Sequence, residues 1–172
     1  MKKKIGIIGA GAWGTGLAQA LGRGGHEVQL WAMEQEVVDS INNNHENKRY
    51  LPDFKLFPNL TATNDIRECS SDKDFLILAS PSLYLAKTVQ QILDVPSIAN
   101  GTTCIGVLTK GFVPSEDGPK LIIETLESVL PSCYSKNIVY IAGPSHAEEV
   151  AMGKLTGLIA ACENPMNSIR FR

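Results

Sequence analysis

Apolar runs of strand length alternate with segments of helical periodicity along most of the chain. The strand-length runs cover residues 5–8, 28–31, 75–79, 104–108, 138–142 and 158–161, and the helical segments cover residues 13–22, 34–43, 82–93, 121–130 and 145–152. In the third helical segment, Ala86, Val89, Ile92 and Leu93 fall at helical spacing and predict its buried stripe. Continuous apolar strands separated by helices are typical of a parallel sheet that is covered on both faces. The pattern therefore predicts an α/β fold with a doubly wound, mostly parallel sheet and helices on both faces.

A polar stretch between residues 42 and 60 interrupts this pattern. It contains two prolines and has no clear hydrophobic period. A connection of this length inside a compact domain is usually functional or disordered.

Composition and charge narrow the possible functions. The chain has 172 residues, 44% of them hydrophobic and 20% charged, which fits one globular domain spanning residues 1–172. A formal net charge of −2 offers no basic surface for nucleic acid. No run approaches the roughly 20 apolar residues of a membrane-spanning helix, and the N-terminus does not have the form of a secretory signal. We expect a cytoplasmic protein.

The four cysteines give no sign of a metal site. Cys69, Cys104, Cys133 and Cys162 are far apart, form no C-x-x-C pair and have no histidine cluster nearby. We expect reduced, partly buried thiols, with neither a zinc site nor a disulfide framework.

The strongest local signal is a glycine-rich turn that follows the first predicted strand. Gly9, Gly11 and Gly14 form a G-x-G-x-x-G motif between a strand and a helix. In such a turn the first glycine allows the tight bend, the second leaves room for a pyrophosphate, and the third lets the helix pack closely. The N-terminus of the helix offers free N–H groups and a positive dipole end to the phosphates. Glycines also serve plain turns, but this context predicts a Rossmann-type dinucleotide-binding domain.

An acidic residue at the end of the second strand often binds the adenosine ribose in such domains. Glu34 stands at the expected distance, about 20 residues beyond the glycines. No Arg or Lys lies between Leu30 and Val37 to receive a 2′-phosphate, which favours NAD over NADP. Alternatively, Glu34 simply begins the next helix, where a carboxylate suits the helix dipole.

Five ordered blocks of sequence together resemble the NAD(P)-dependent glycerol-3-phosphate dehydrogenase family. Residues 9–15, GAGAWGT, match its G-A-G-x-[WY]-G-T form, and residues 41–52, INNNHENKRYLP, match I-N-x-x-x-x-N-x-x-Y-L-P. Residues 79–82, ASPS, resemble its V-P-S turn, and residues 109–111 are its T-K-G. Residues 142–150, AGPSHAEEV, resemble S-G-P-[ST]-F-A-x-E-[VL]. The resemblance covers essentially the whole chain.

The resemblance implies reversible hydride transfer between a nicotinamide and glycerone phosphate, giving sn-glycerol 3-phosphate for glycerophospholipid synthesis. It implies NAD or NADP as the cofactor. Besides the three glycines and Glu34, the cofactor-binding positions that it implies are Ala12, Trp13, Met33, Tyr50, Lys110 and Ala147. It implies that Lys110 also binds the substrate, together with Gly143 and Ser145, and Lys110 is the catalytic candidate.

The chemistry of these positions is also readable without the family. Lys110 directly follows a strand, so its ammonium could project at the carboxyl edge of the sheet and polarise a carbonyl or attract a phosphate ester. From position alone, a solvated surface lysine is an equal alternative. Ser145 could equally cap the last helix by accepting a hydrogen bond from the N–H near Glu148, and the two roles can coexist. Trp13 could be core packing, but its place in the glycine turn favours a wall beside the cofactor.

The sequence departs from the family pattern in four respects. His146 replaces the usual aromatic residue, and we do not expect it to be catalytic. Residues 32 and 33 are Ala and Met where many bacterial members have Arg or His, and Ser80 replaces an aliphatic residue. The family's helical C-terminal domain, with its general-base lysine and its phosphate-binding residues, has no counterpart in the sequence. Because hydride transfer is coupled to proton transfer, we expect a chain that binds a dinucleotide but turns over little substrate.

Two other functions stay open at this point. One is a dinucleotide-binding module without catalysis, which would sense NAD(H) or mediate assembly. The other is a related two-domain hydroxy-acid dehydrogenase, although that class gives no reason for the blocks at 41–52 and 109–111 to occur together. A homodimer would depend on the C-terminal domain.

Overall fold

The computed structural model describes residues 1–116 and 118–172. Within these residues the main sheet has seven strands in the order β3-β2-β1-β4-β5-β8-β9, and β6 pairs with β7 in a small antiparallel ribbon. The strands are β1 Lys4–Ile8, β2 Glu27–Trp31, β3 Leu60–Thr63, β4 Phe75–Leu78, β5 Cys104–Val107, β6 Phe112–Val113, β7 Lys120–Leu121, β8 Val139–Ala142 and β9 Ile159–Ala161. All neighbours in the main sheet run parallel except β9, which is antiparallel to β8.

Helices cover both faces of the sheet. They are α1 Ala12–Arg23, α2 Gln35–Asn44, α3 Ile66–Ser70, α4 Ser82–Gln90, α5 Pro96–Ala99, α6 Ile122–Val129, α7 Ala147–Met152 and α8 Pro165–Arg170, with a 3₁₀ turn at Ser132–Tyr134. Successive residues of β1 point to opposite faces, so that Ile7 joins the core under α1 and α2 while Ile8 joins the core under α4 and α6. The predicted doubly wound, mostly parallel fold is confirmed.

Every strand and helix predicted from the pattern is present, with shifted ends. The third predicted helix ends at Gln90 rather than 93, and its buried side includes Leu85 and Val89. The last of the five predicted helices begins at Ala147 rather than 145. The sequence pattern missed β3, α3, α5 and α8, each of which has four to six residues.

The polar stretch at 42–60 is folded onto the sheet and ends in β3. Its residue Leu51 is buried, and Asn47 and Leu51 form an isolated bridge. Asn42, in α2, holds the other end of the stretch in place, because its side chain exchanges hydrogen bonds of 2.9 and 2.8 Å with the backbone of Ala62 in β3. This connection is therefore an ordered element of the domain.

The cysteines differ in exposure. Cys69 and Cys104 are buried and Cys133 is exposed, in agreement with the expected partial burial. Burial raises the pKa of the Cys69 thiol to about 12. In the part of the chain that the structure describes, none of the helices has the length and apolar character needed to cross a bilayer.

Candidate functional site

The glycine turn joins β1 to α1 at the carboxyl edge of the sheet. Gly9 has a φ of +125°, and a Cβ at this position would lie 2.9 Å from the carbonyl oxygen of Ala79. A Cβ on Gly14 would lie 1.9 Å from the carbonyl oxygen of Gly9. Both positions require glycine, because a side chain would collide with backbone that cannot move away. The close packing of α1 against the turn follows directly.

Gly11 is different, because space beside it is open. A Cβ at Gly11 would meet no atom of the described residues within 4 Å, and the Gly11 backbone is extended at φ −65° and ψ 179°. The first turn of α1 contains no acidic residue, and no side chain caps it. The amide groups of Ala12, Trp13 and Gly14 have no partner within the helix, since the first N–H groups of any α-helix lack one. This end of α1 therefore presents a positive, uncapped surface that fits a phosphate.

A second group of side chains lies just beyond the end of β2. Glu34 occupies the N-cap position of α2, but its carboxylate does not cap the helix. Instead its Oε1 accepts a hydrogen bond of 2.7 Å from the hydroxyl of Tyr50. This bond lowers the pKa of Glu34 and raises the pKa of Tyr50. Met33, which precedes Glu34 in the chain, is 78% exposed, so three of the predicted cofactor-binding residues lie at one corner of the site.

Hydrogen bonds of Asn47 connect this corner to the glycine turn. It is 1% exposed, and its amide donates hydrogen bonds of 2.8 Å to the carbonyl of Ala10 and to Oγ1 of Thr15. Its own Oδ1 accepts a hydrogen bond of 3.3 Å from the backbone N–H of Tyr50. The segment that carries Tyr50 is thus held at a fixed position relative to α1.

Lys110 and Trp13 meet at the other end of the turn. The Lys110 Nζ lies 5.8 Å from the centroid of the Trp13 ring, within the range of a cation–π contact. Lys110 is exposed, while the neighbouring Thr109 is buried. Thr109 Oγ1 donates to the carbonyl of Ser80 at 2.8 Å, and Tyr140 donates from its hydroxyl to the carbonyl of Thr109 at 3.2 Å. These bonds fix the backbone from which Lys110 extends.

The residues after β8 flank the same edge. β8 lies parallel to β5, so Gly143 and Ser145 leave the sheet beside the strand that precedes Lys110. The alternative role of Ser145 as a helix cap is wrong: α7 has His146 at its N-cap position, and the Ser145 hydroxyl donates to the carbonyl of Gly143 at 3.4 Å. Ser145 lies one position too early in the sequence to cap this helix.

Ala147 lies against the first half of α1. A Cβ on Gly16 would come 2.7 Å from the carbonyl oxygen of Ala147, so the two helices are in close backbone contact. Ala147 is buried in a small cluster with Leu51, and Ala12 packs against that cluster. Ala147, one of the predicted cofactor-binding residues, therefore lies beside the start of α1.

Sequence reasoning missed Arg49 and the tie made by Asn47. Arg49 reaches Glu34 from the polar stretch, 15 positions along the chain, with 3.7 Å between its Nη2 and Oε1 of Glu34. Residues 30–37 contain no Arg or Lys, and the sequence next to β2 gives no sign of a cation that arrives from another segment. The sequence does contain a sign of both residues: in the block at 41–52, Arg49 precedes Tyr50 and Asn47 occupies a motif position.

Comparisons with known proteins agree on one protein family. A family model described as NAD-dependent glycerol-3-phosphate dehydrogenase N-terminus matches residues 4–168. Relatives named glycerol-3-phosphate dehydrogenase (NAD(P)+) include one from Treponema denticola, 51% identical over 100% of this chain and 50% of its own length. Another, from Bacillus subtilis, is 40% identical over 94% of this chain and 46% of its own length.

A solved structure shares the fold. The glycerol-3-phosphate dehydrogenase of Coxiella burnetii superimposes with a TM-score of 0.85 at 29% identity, over 99% of this chain and 50% of that one. The chain spans about half the length of the curated relatives that it matches.

Proposed function

Because the chain belongs to the NAD-dependent glycerol-3-phosphate dehydrogenase family, we propose that it is the dinucleotide-binding part of an enzyme that interconverts glycerone phosphate and sn-glycerol 3-phosphate. The observation that carries this proposal is the uncapped N-terminus of α1 with open space at Gly11. A helix end of this kind is a ready-made site for a pyrophosphate.

The residues present fit a dinucleotide along the whole carboxyl edge of the sheet. At one end, the Glu34 carboxylate can accept hydrogen bonds from ribose hydroxyls. At the other end lie Trp13 Nε1 and Ser80 Oγ, two of the four buried side-chain polar atoms that have no hydrogen-bond partner within residues 1–116 and 118–172; the other two are His45 Nδ1 and Ser97 Oγ. Buried polar groups of this kind call for a ligand, water or other partner.

The substrate would lie between Lys110 and the residues after β8. A nicotinamide held there would supply the hydride in one direction and accept it in the other. The Lys110 ammonium would polarise the carbonyl of glycerone phosphate and stabilise negative charge on its oxygen. A Cβ on Gly143 would lie 2.4 Å from the carbonyl oxygen of Gly157, so glycine is required there for the packing of this segment. Ser145, two residues later, offers a hydroxyl to the substrate.

We propose these roles for the site residues together with the two substrates, which are the substrates of the whole enzyme. The cytoplasmic location, the homodimer and the extent of the domain stay predictions from the sequence.

Binding of NADH to this chain tests the proposal directly. Isothermal titration calorimetry measures the affinity, and the fluorescence of Trp13 and Trp31 gives an independent signal. Trp13 borders the proposed site through its contact with Lys110, whereas Trp31 is fixed by a bond of 3.1 Å to the carbonyl of Asn64. We expect saturable NADH binding with quenching of Trp13. A folded chain that binds neither NADH nor NADPH would overturn the proposal.

Glycerone phosphate provides a second arm of the experiment. If the substrate contacts Lys110, a Lys110→Met variant should lose any effect of glycerone phosphate on the NADH titration. The variant Lys87→Met is a matched control, since Lys87 is an exposed lysine on α4.

A further inference from the structure

Arg49 places a guanidinium at the corner of the proposed cofactor site that contains Met33, Glu34 and Tyr50, which we call the ribose corner. Its Nη1 pairs with Glu36, its Nη2 lies 3.7 Å from Oε1 of Glu34, and its Cζ lies 5.3 Å from the centroid of the Tyr50 ring. The side chain is half exposed, so part of the guanidinium faces solvent. A cation therefore stands where the sequence near β2 offers none.

The position of Arg49 is fixed by its backbone neighbours. Asn47 anchors the segment to the glycine turn, and Leu51, which donates its N–H to the carbonyl of Asn47 at 2.9 Å, is buried beneath it. Tyr50 is held in turn by its hydroxyl bond to Glu34. Arg49 thus extends from a turn with restrained residues on both sides.

Two opposite charges now act at one corner. A carboxylate such as Glu34 binds free ribose hydroxyls and repels a phosphate on the 2′ position. A guanidinium has five N–H donors in a planar fork, and it can bind a phosphate through two of them at once. The two side chains that hold Arg49 accept through one oxygen each, so donors remain for a phosphate.

We propose that Arg49 receives the 2′-phosphate of NADPH, and that Glu34 favours the unphosphorylated ribose of NADH. The inference rests on the proposed function, because it assumes that the adenosine ribose lies at this corner. Its consequence is that the chain binds both dinucleotides, with the ratio of their affinities set by Arg49 and Glu34 together.

The test is to measure the Kd values of NADH and NADPH for the unaltered chain and for Arg49→Gln. We expect the Kd of NADPH to rise by about tenfold or more in Arg49→Gln, as for the loss of a hydrogen bond to a charged group. The Kd of NADH should change by less than about threefold, since this ligand has no phosphate at the 2′ position. Glu34→Gln should shift the ratio of affinities toward NADPH.

Lys48→Gln is the matched control. It removes one positive charge from the same turn, but Lys48 pairs with Glu46 at 3.1 Å rather than with Glu34. Both Kd values should stay within about threefold of the unaltered chain, because an exposed charge that does not touch the ligand is screened by salt. Thermal unfolding of each variant verifies that the fold is kept.

The outcomes separate this inference from the function on which it rests. Absence of binding of both dinucleotides to the unaltered chain would overturn the proposed function, and the inference with it. NADH binding with equal losses for both ligands in Arg49→Gln, or with no loss for NADPH, would overturn the inference alone. So would an equal effect of Lys48→Gln on NADPH.

Discussion

Substitution of Gly11 by alanine separates the binding role of the glycine turn from its structural role. Because nothing lies within 4 Å of the added Cβ, and because φ −65° and ψ 179° suit any residue, the protein itself accommodates the methyl group. The same methyl group occupies the space through which a pyrophosphate would approach the amides of Ala12 and Trp13. We therefore expect Gly11→Ala to fold normally and to bind NADH poorly.

The effect on stability is small because two contributions oppose each other. Alanine is a poorer N-cap residue than glycine, by about 0.5–1 kcal/mol. It also restricts the unfolded chain, which stabilises the folded state by about 0.4–1 kcal/mol. The net change in the free energy of unfolding is within about 1 kcal/mol, so Tm should move by no more than about 4 °C.

The effect on binding is larger. A displaced pyrophosphate loses at least one charge-assisted hydrogen bond to the helix N-terminus, which contributes about 1.5–3 kcal/mol. The Kd of NADH should therefore rise roughly 10- to 150-fold.

Calorimetric titration with NADH, combined with thermal unfolding, measures both quantities on the same samples. Gly157→Ala is the matched control, because its added Cβ also meets no atom within 4 Å and its φ is not positive. A folded Gly11→Ala chain that binds NADH within about threefold of the unaltered chain would refute the reasoning, since the open space at Gly11 would then not be the path of the phosphates.

Two further predictions concern polar groups at opposite ends of the strands, Asn47 at the carboxyl ends and Asp74 at the amino ends. Asn47→Ala removes buried hydrogen bonds to the glycine turn, so we expect a loss of about 2 kcal/mol in the free energy of unfolding and a fall in Tm of about 4–8 °C. Thermal unfolding measures it against Asn43→Ala on the exposed side of α2, and an unchanged Tm would contradict the proposed tie. Asp74 accepts a bond of 2.9 Å from the Lys4 N–H, which lowers the pKa of that carboxyl. Its stabilising effect is complete above its ordinary pKa and is lost as pH falls through the lower folded pKa. Urea unfolding at pH 2 to 5 should therefore show a weaker pH dependence for Asp74→Asn, and identical profiles would argue against this role.

The hydrophobic pattern predicted the parts of the fold that are buried on two faces or on a long stripe. β1 and β4 are continuous apolar runs, and α1 begins at an unmistakable glycine turn. β3 was missed because its four residues include exposed Thr61 and begin directly after Asn59 in a polar stretch. A strand of this length at the edge of the sheet carries too few apolar positions to show a period.

The direction of β9 could not be read from the pattern either. Its three residues follow the exposed segment after α7, and β9 pairs antiparallel with β8 even though α7 lies between the two strands in the chain. Alternation of apolar runs predicts that a strand exists, but the direction depends on the path of the connection. The helix α8 was also missed by the pattern. Its six residues are held by the side-chain cap of Asn164 rather than by a long apolar stripe.

In the candidate site, too, some features could be predicted from the sequence and others could not. The shape of the glycine turn could be predicted from the sequence because glycines determine backbone conformation locally. At the ribose corner, Glu34 could be assigned from the sequence but Arg49 could not, because Arg49 arrives from a distant segment that buried hydrogen bonds hold in place. Asn47 is a polar residue in a polar stretch, where a pattern predicts irregular structure, yet it is 1% exposed and bonded to the turn 37 positions away. A buried amide of this kind must satisfy its hydrogen-bonding groups within the protein, so its bonds fix the path of the segment more specifically than apolar contacts would. The arrival of Arg49 beside Glu34 is a consequence of that constraint, and the charge balance of the ribose corner therefore depends on a residue that no local reading of β2 includes.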